Sequence, residues 1–315
     1  MILAIGLLLV GFILLIKGAD WLVNGASAMA KKYHVSDLAI GLTVVAFGTS
    51  APELVVNVFA AFEGHHDIVF GNIIGSNNFN LFIILGIAGL ITPLAVQAST
   101  VWKEIPISLV AVLLLLLLSN EMIMTNSTMV SRAEGIVLLL CFVLFVWYVF
   151  KQLKVSSEPV VSVSNYSTLK IWTFIALGLT CLVIGGRLIV NNAVQLATMF
   201  GVSEKVIGLT IVAAGTSLPE MATSVIAAVK KNNDIAVGNI IGSNIFNIFL
   251  ILGISSIIKP VQFNTFFNVD LMILVAGTLF LFMAMFTGEK HKLDRWEAAL
   301  LLVSYLAYMG YVIYQ

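Results

Sequence analysis

Glu53 and Glu220 are the side chains with the chemistry to organise this protein. Each stands in the middle of an apolar run long enough to cross a bilayer: GLTVVAFGTSAPELVVNVFAA from Gly41 to Ala61, and GLTIVAAGTSLPEMATSVIAA from Gly208. A carboxylate at that depth costs about 2.5–3.5 kcal/mol on insertion scales, which marks both as functional candidates. Each has oxygen-bearing company. Thr49, Glu53 and Asn57 recur at four-residue spacing and share one helix face, as do Thr216, Glu220 and Ser224. Ser50 and Ser217 adjoin them. About a dozen residues on, GNIIGSNNFN from Gly71 and GNIIGSNIFN from Gly238 carry a second pair of stripes: Asn72, Ser76 and Asn80, then Asn239, Ser243 and Asn247. Carboxylate, hydroxyl and amide oxygens suit Ca²⁺, Na⁺ or Mg²⁺ and not Zn²⁺ or Cu, which prefer His and Cys. The four histidines all fall in or beside loops. Mg²⁺ gives up its water reluctantly, so a dry cage of protein oxygens favours Ca²⁺ and Na⁺.

TSAPE also has an ordinary reading. Ser50 followed by Glu53 is the sequence of a capping box with an early proline, which simply starts a helix. In the middle of an apolar span, however, starting a helix means that the preceding one has been broken. Gly48 permits the break and Pro52 removes a backbone donor. The carbonyls of Ala46 and Phe47, and of Ala213 and Ala214, are then expected to lose their helical partners. Such freed backbone is tolerated in a membrane only where it is buried or lines a wet cavity. A lone Ser or Asn in a span is usually glue between helices. Polar stripes in symmetric copies point instead to an ion site.

The elements that must position these groups follow from composition. Sixty per cent of the 315 residues are hydrophobic and 10% charged, against about a quarter charged in soluble domains. The chain is predicted to be an all-α integral membrane protein with ten transmembrane helices: 2–29, 37–61, 68–90, 101–119 and 132–152, then 171–198, 204–229, 234–258, 268–287 and 293–313. Every match between the copies falls at one separation, so 1–152 and 171–315 read as two five-helix repeats, joined by a Ser-rich cytoplasmic tether over 153–170. Five is odd, so the second repeat must enter upside down relative to the first.

Loop charge sets the orientation. With the N-terminus outside, the cytoplasm receives Lys31, Lys32, Lys103, Lys151, Lys154, Lys230, Lys231, Lys290, Lys292 and Arg295. The opposite side receives Arg132, Lys205 and Lys259 together with Glu63, His65, His66 and Asp67. Both termini are expected outside, in the plasma or inner membrane. The N-terminal apolar run lacks the basic start and small-residue cleavage site of a signal peptide. Cys141 and Cys181 sit in apolar runs and read as packing. No basic surface suggests nucleic acid, no prosthetic group is implied, and no obligatory protein partner is evident. The expected partners are the two ions and the lipid bilayer.

An empty site holding Glu53 and Glu220 ionised carries two negative charges in low dielectric, a state that opposes crossing the membrane unfilled. One Ca²⁺ neutralises it, as do two or three Na⁺ or two protons, and a carrier that moves only when neutralised is an exchanger. Three other readings use parts of the same sequence. A proton- or magnesium-linked carrier would share the fold. A channel would place its filter on an oligomeric axis. An intramembrane hydrolase would need a general base beside Ser50 or Ser217, and those spans hold no His or Lys at their middle.

GTSAPE with GNIIGSNNFN, and GTSLPE with GNIIGSNIFN, strongly resemble the two alpha repeats of sodium/calcium exchangers in the cation/calcium antiporter superfamily. The resemblance implies a prokaryotic-type Na⁺/Ca²⁺ antiporter working by alternating access, with the long first helices of each half, 2–29 and 171–198, sliding past the core. It implies a calcium site at Glu53 and Glu220 with the carbonyls of Thr49 and Thr216. Flanking sodium positions would involve Ala46, Ser50, Ser76, Ala213, Thr216, Ser217 and Ser243, with Asn80 and Asn247 lining the middle. It also implies three Na⁺ per Ca²⁺, electrogenic by one charge. Gly75 and Gly242 stand where the proton-coupled branch carries an acid, and Asn80 and Asn247 stand where several relatives, potassium-dependent ones included, carry Asp. Asp20 and Arg187 align between the halves deep in the first helices, and read as snorkelling or ion-paired charges or as a contact remade during sliding.

Overall fold

The computed structural model describes residues 1–120, 128–152, 166–200 and 213–314. Predicted positions 204–212 and most of the tether, 153–165, lie outside those residues. Within them the chain is helical almost throughout, as its apolar composition requires of backbone in lipid.

The first half opens with α1, Ile2–Tyr33, a 32-residue helix. α2, Asp37–Thr49, and α3, Ala51–Glu63, follow as one run bent by 48°. Then come α4, His66–Ile91, and α5, Thr100–Ser119, and α6, Arg132–Gln152. The second half repeats this order. It has α7, Thr168–Met199, a helical turn at Ala213–Gly215, and α8, Leu218–Val229. It continues with α9, Asn233–Ile258, α10, Asn268–Ala284, and α11, Arg295–Tyr314. Among the described residues seven helices are long and apolar enough to cross a membrane, or eight with the bent run α2–α3 counted as one span. The helix expected from 171 begins at Thr168, because Ser167 caps it by accepting from the Lys170 N–H at 3.2 Å.

Two short antiparallel ladders tie the loops of one half to those of the other. Strand β1, Leu94–Ala95, pairs with β4, Lys292–Leu293, while β2, Met129–Val130, pairs with β3, Val261–Gln262.

Glycine sets how closely the central helices approach. A Cβ on Gly238 of α9 would lie 3.0 Å from the Leu38 carbonyl of α2, so backbone meets backbone where these motif helices cross. α1 and α7 pack along their whole length in the same manner. A Cβ on Gly18 would stand 2.8 Å from the Gly178 carbonyl, and one on Gly178 would stand 2.8 Å from the Leu22 nitrogen. Small residues allow the close packing that holds helices together where lipid supplies no hydrophobic drive. α4 and α9 are the most enclosed helices, with most of their side chains buried. They form the centre around which the others stand.

Candidate cation site

The break predicted in the first motif is present. Ser50, at φ −82° and ψ 6°, separates α2 from α3, and Pro52 follows in the first turn of α3. Ser217 and Pro219 repeat the arrangement before α8, with φ −88° and ψ 8°. The proline ring has no N–H for the carbonyl four residues back, so Gly48 and Gly215 are the residues deprived of a helical donor. This corrects the expectation for Ala46. Its carbonyl keeps the Ser50 N–H at 3.0 Å and accepts from the Thr49 hydroxyl at 3.3 Å. The break falls just past the expected Ala46 and Phe47 because proline withdraws a bond only from its own register. Ala213 begins the turn that precedes the second break.

The capping-box reading of Ser50 and Glu53 is answered by a direct contrast. At the start of α6, Ser131 and Glu134 form the reciprocal pair: the Ser131 N–H donates to Glu134 Oε2 at 2.7 Å and the Glu134 N–H to Ser131 Oγ at 3.3 Å. Ser50 makes no such cap. Its hydroxyl donates across the molecule to Glu220 Oε1 at 2.8 Å. Ser217 likewise makes no cap and donates to Glu53 Oε1 at 3.3 Å. Each carboxylate is therefore held by the hydroxyl of the other half.

Around this exchange the polar stripes close up. Glu53 and Glu220 are each 1% exposed. Ser243 stands 2.9 Å from Ser50 and 3.4 Å from Glu220 Oε1. Thr49 lies 3.0 Å from Asn239 Oδ1. Asn239 donates to Ser224 at 2.9 Å. Ser76 is buried and gives its hydrogen to Asn72 at 3.1 Å, within its own helix. Asn57 folds back on the Glu53 carbonyl at 2.8 Å.

Asn80 and Asn247 do not continue the stripes below them. Each helix widens into a π turn at that point, over Phe79–Ile84 and Phe246–Leu252, a distortion common at functional sites. Asn80 donates to Asn244 Oδ1 at 3.0 Å and Asn247 to Asn77 Oδ1 at 2.9 Å. Asn77 and Asn244 in turn donate to each other's backbone carbonyls at 3.4 Å. Sequence reasoning passed over Asn77 and Asn244, although their identity in both copies of GNIIGSN was the signal available.

This quartet fixes which end of each amide faces the centre. Asn244 spends its Nδ2 on the Asn77 carbonyl, so it presents Oδ1 to Asn80. Asn80 must answer with nitrogen, which leaves its own oxygen free, and the same logic frees the Asn247 oxygen. Glu53 Oε2, Glu220 Oε2, Asn80 Oδ1 and Asn247 Oδ1 are all buried without a hydrogen-bond partner. Buried polar atoms are nearly always paired, and unpaired carboxylate and amide oxygens at symmetric positions are donors of the kind a hard cation takes. Among the described residues no three His, Cys, Asp or Glu side chains gather as a metal cluster would require. The available donors are oxygens, two of them on carboxylates.

Known proteins resemble this chain in sequence and fold. The sequence profile described as "Sodium/calcium exchanger protein" matches residues 3–151 and 170–314. The chain belongs to the sodium/calcium exchanger family. This exchanger is 37% identical to the putative antiporter CaxA of Alkalimonas amylolytica over 318 residues, covering 98% of each chain. It is 33% identical to the sodium/calcium exchanger MaX1 of Methanosarcina acetivorans, again over 98% of each. Its fold matches the sodium-calcium exchanger NCX_Mj, in a structure soaked with Na⁺ and Sr²⁺. The TM-score is 0.84 and the identity 32%, with 98% of both chains covered. The exchanger is thus a multi-pass membrane protein of a transporter family.

Proposed function

We infer that the protein is a secondary antiporter that exchanges Na⁺ for Ca²⁺ by alternating access at the site of Glu53 and Glu220. The observation that carries this is the set of four unpaired buried oxygens, two of them on carboxylates. Two carboxylates balance one Ca²⁺, and a site so charged in low dielectric resists crossing empty, which couples the two ions. Family membership and the NCX_Mj match support the same reading. The ions are cargo, and no prosthetic group enters the mechanism.

In this reading the carbonyls of Thr49 and Thr216 complete the calcium site around the carboxylates. Ala46, Ser50, Ser76, Ala213, Thr216, Ser217 and Ser243 flank it as sodium positions, with Asn80 and Asn247 lining the middle. The described elements are the visible parts of ten spans, 1–152 and 171–315 being two repeats of inverted topology joined by a cytoplasmic tether over 153–170. Support comes from the repeated order of elements and from hydrogen bonds that exchange partners between the halves. Both termini lie outside the cell membrane in this orientation, with Lys230 and Lys231 on the cytoplasmic side and Glu63 and Asp67 on the outer side.

Uptake of ⁴⁵Ca²⁺ into Na⁺-loaded proteoliposomes, with K⁺-loaded and pH-jump controls, tests the reading. Uptake that requires the outward Na⁺ gradient is the expected result. Uptake driven by a pH jump alone would replace Na⁺ with H⁺ as the coupling ion, and no uptake under any gradient would sink calcium as cargo.

A further inference from the structure

Asp20 on α1 and Arg187 on α7 stand 167 positions apart, the spacing that also relates Glu53 to Glu220. The same spacing relates Glu63, at the end of α3, to Lys230, which comes directly after α8. The signs are exchanged between the halves: the first has acid at both places, on the long helix and on the hairpin, and the second has base at both, so the long helix of either half is opposite in charge to the hairpin of the other. The first combination is an ion pair. Lys230 Nζ lies 2.6 Å from Asp20 Oδ1, and it also donates to Asn24 Oδ1 at 2.8 Å and to the Asp20 carbonyl at 3.2 Å. The second is not made. Glu63 holds His65 at 3.2 Å, and Arg187 is exposed with no ion pair among the described residues.

The helices follow the charges. α1 lies along α8, and α7 touches α8 as well, whereas neither long helix is seated on α3 to a comparable degree. On α3 Val55, Val56, Phe59 and Phe62 are exposed. Of their counterparts on α8, Ala222 and Thr223 are 8% and 0% exposed, while Val229 at the helix end is 56% exposed. One hairpin carries a long helix over the middle of its outer face, and the equivalent positions of the other are open.

We propose that Glu63 and Arg187 form a second latch, made when the long helices move onto α3 and the Lys230–Asp20 latch opens. The two ion pairs then lock opposite faces of the protein in turn. The proposal rests on the alternating-access reading above, since in inverted repeats each half takes up the other's arrangement when access reverses. Asn191 occupies in α7 the place of Asn24 in α1. An amide accepts from lysine through its oxygen and donates to a carboxylate through its nitrogen, so the same residue type serves a latch of either polarity. Closing the second latch requires Glu63 to leave His65.

Charge reversal tests this in the full-length protein. Glu63→Arg and Arg187→Glu alone each slow Na⁺-driven ⁴⁵Ca²⁺ uptake by about two- to fivefold, the scale an exposed ion pair contributes. The double variant recovers to within about twofold of the wild type. Because the two side chains are not paired in the present conformation, such recovery requires that they meet in another. Singles without effect, or a double variant as slow as the product of the singles, would overturn the latch.

A second measurement is independent of transport. Spin labels at Phe62→Cys and Ile184→Cys, in a Cys141→Ala, Cys181→Ala background, report the distance between α3 and α7. Two populations are expected, with the shorter one reduced by Glu63→Gln. A single distance unmoved by Glu63→Gln, across Na⁺ and Ca²⁺ conditions, would also overturn the proposal. Wild-type protein without Na⁺-driven uptake would reject the exchange reading, while the distances still judge the latch.

Discussion

At the centre of the protein Asn80 meets Asn244 at 3.0 Å and Asn247 meets Asn77 at 2.9 Å. One turn away the two halves diverge. Ser50 reaches Glu220 at 2.8 Å where Ser217 reaches Glu53 at 3.3 Å. Asn239 is engaged by Thr49, while its counterpart Asn72 is taken by Ser76. Further out, α8 carries α1 along its outer face, and the corresponding face of α3 has Val55, Val56 and Phe59 exposed. Symmetry thus decays with distance from the amide quartet. A site that must look the same from both sides of a membrane needs a symmetric centre, and a protein resting in one of two states needs asymmetric flanks. The difference separates the parts that bind from the parts that move.

Four tests by substitution would break or sharpen that division, and the largest effect belongs to the centre. Glu53→Gln or Glu220→Gln removes one of the two charges that balance Ca²⁺ and is expected to reduce ⁴⁵Ca²⁺ uptake by about 100-fold or more, since an unmatched charge in low dielectric costs several kcal/mol. Residual uptake near wild type would place the cargo elsewhere. Asn77→Leu or Asn244→Leu leaves a buried amide unanswered, at about 1–3 kcal/mol. It should lower both thermal stability in detergent and Ca²⁺ affinity, by similar amounts for the two variants if the centre is symmetric.

Smaller effects are expected at the flanks, and they should be unequal. Ser50→Ala removes the shorter hydrogen bond to a carboxylate, a class worth about 1.5–3 kcal/mol, and should weaken Ca²⁺ binding more than Ser217→Ala. Equal losses would show that the two contacts equalise on binding. Ser131→Ala gives the smallest effect and the cleanest control. Loss of a true helix cap costs about 1 kcal/mol of stability, and transport per folded molecule should be unchanged.

The sequence was most legible where an apolar background made polar residues conspicuous. Glu53 and Glu220, the broken helices and the paired motifs could be located from residue types alone, and among the described residues the helix limits lie within a few residues of the observed ones. Less legible was anything that depended on partners across the halves. The TSAPE string spells a capping box whether or not Ser50 caps. Only the meeting of the α2–α3 break with α8 shows that its hydroxyl is claimed by Glu220. Residue types alone free the Ala46 carbonyl because they credit proline with a wider break than its missing N–H makes. Asn77 is hidden because the four-residue stripe through Asn72, Ser76 and Asn80 presumes a regular helix, and the π turn from Phe79 re-aims the side chains beyond it. Asp20 left two readings open in the sequence, and its partner became visible only with Lys230 beside it.

The glycine seam between α1 and α7 has a consequence for energy conversion. With Gly18 and Gly178 bringing backbone against backbone, the two long helices have no slack between them, and a displacement of one is a displacement of both. Under the proposed exchange, a gate carried by α1 and a gate carried by α7 are then two ends of one beam. Opening either end shuts the other, so there is no arrangement in which ions run downhill through both. Sodium's gradient would be converted into calcium's with little slippage, and the quality of that conversion would depend on two residues with no side chains at all.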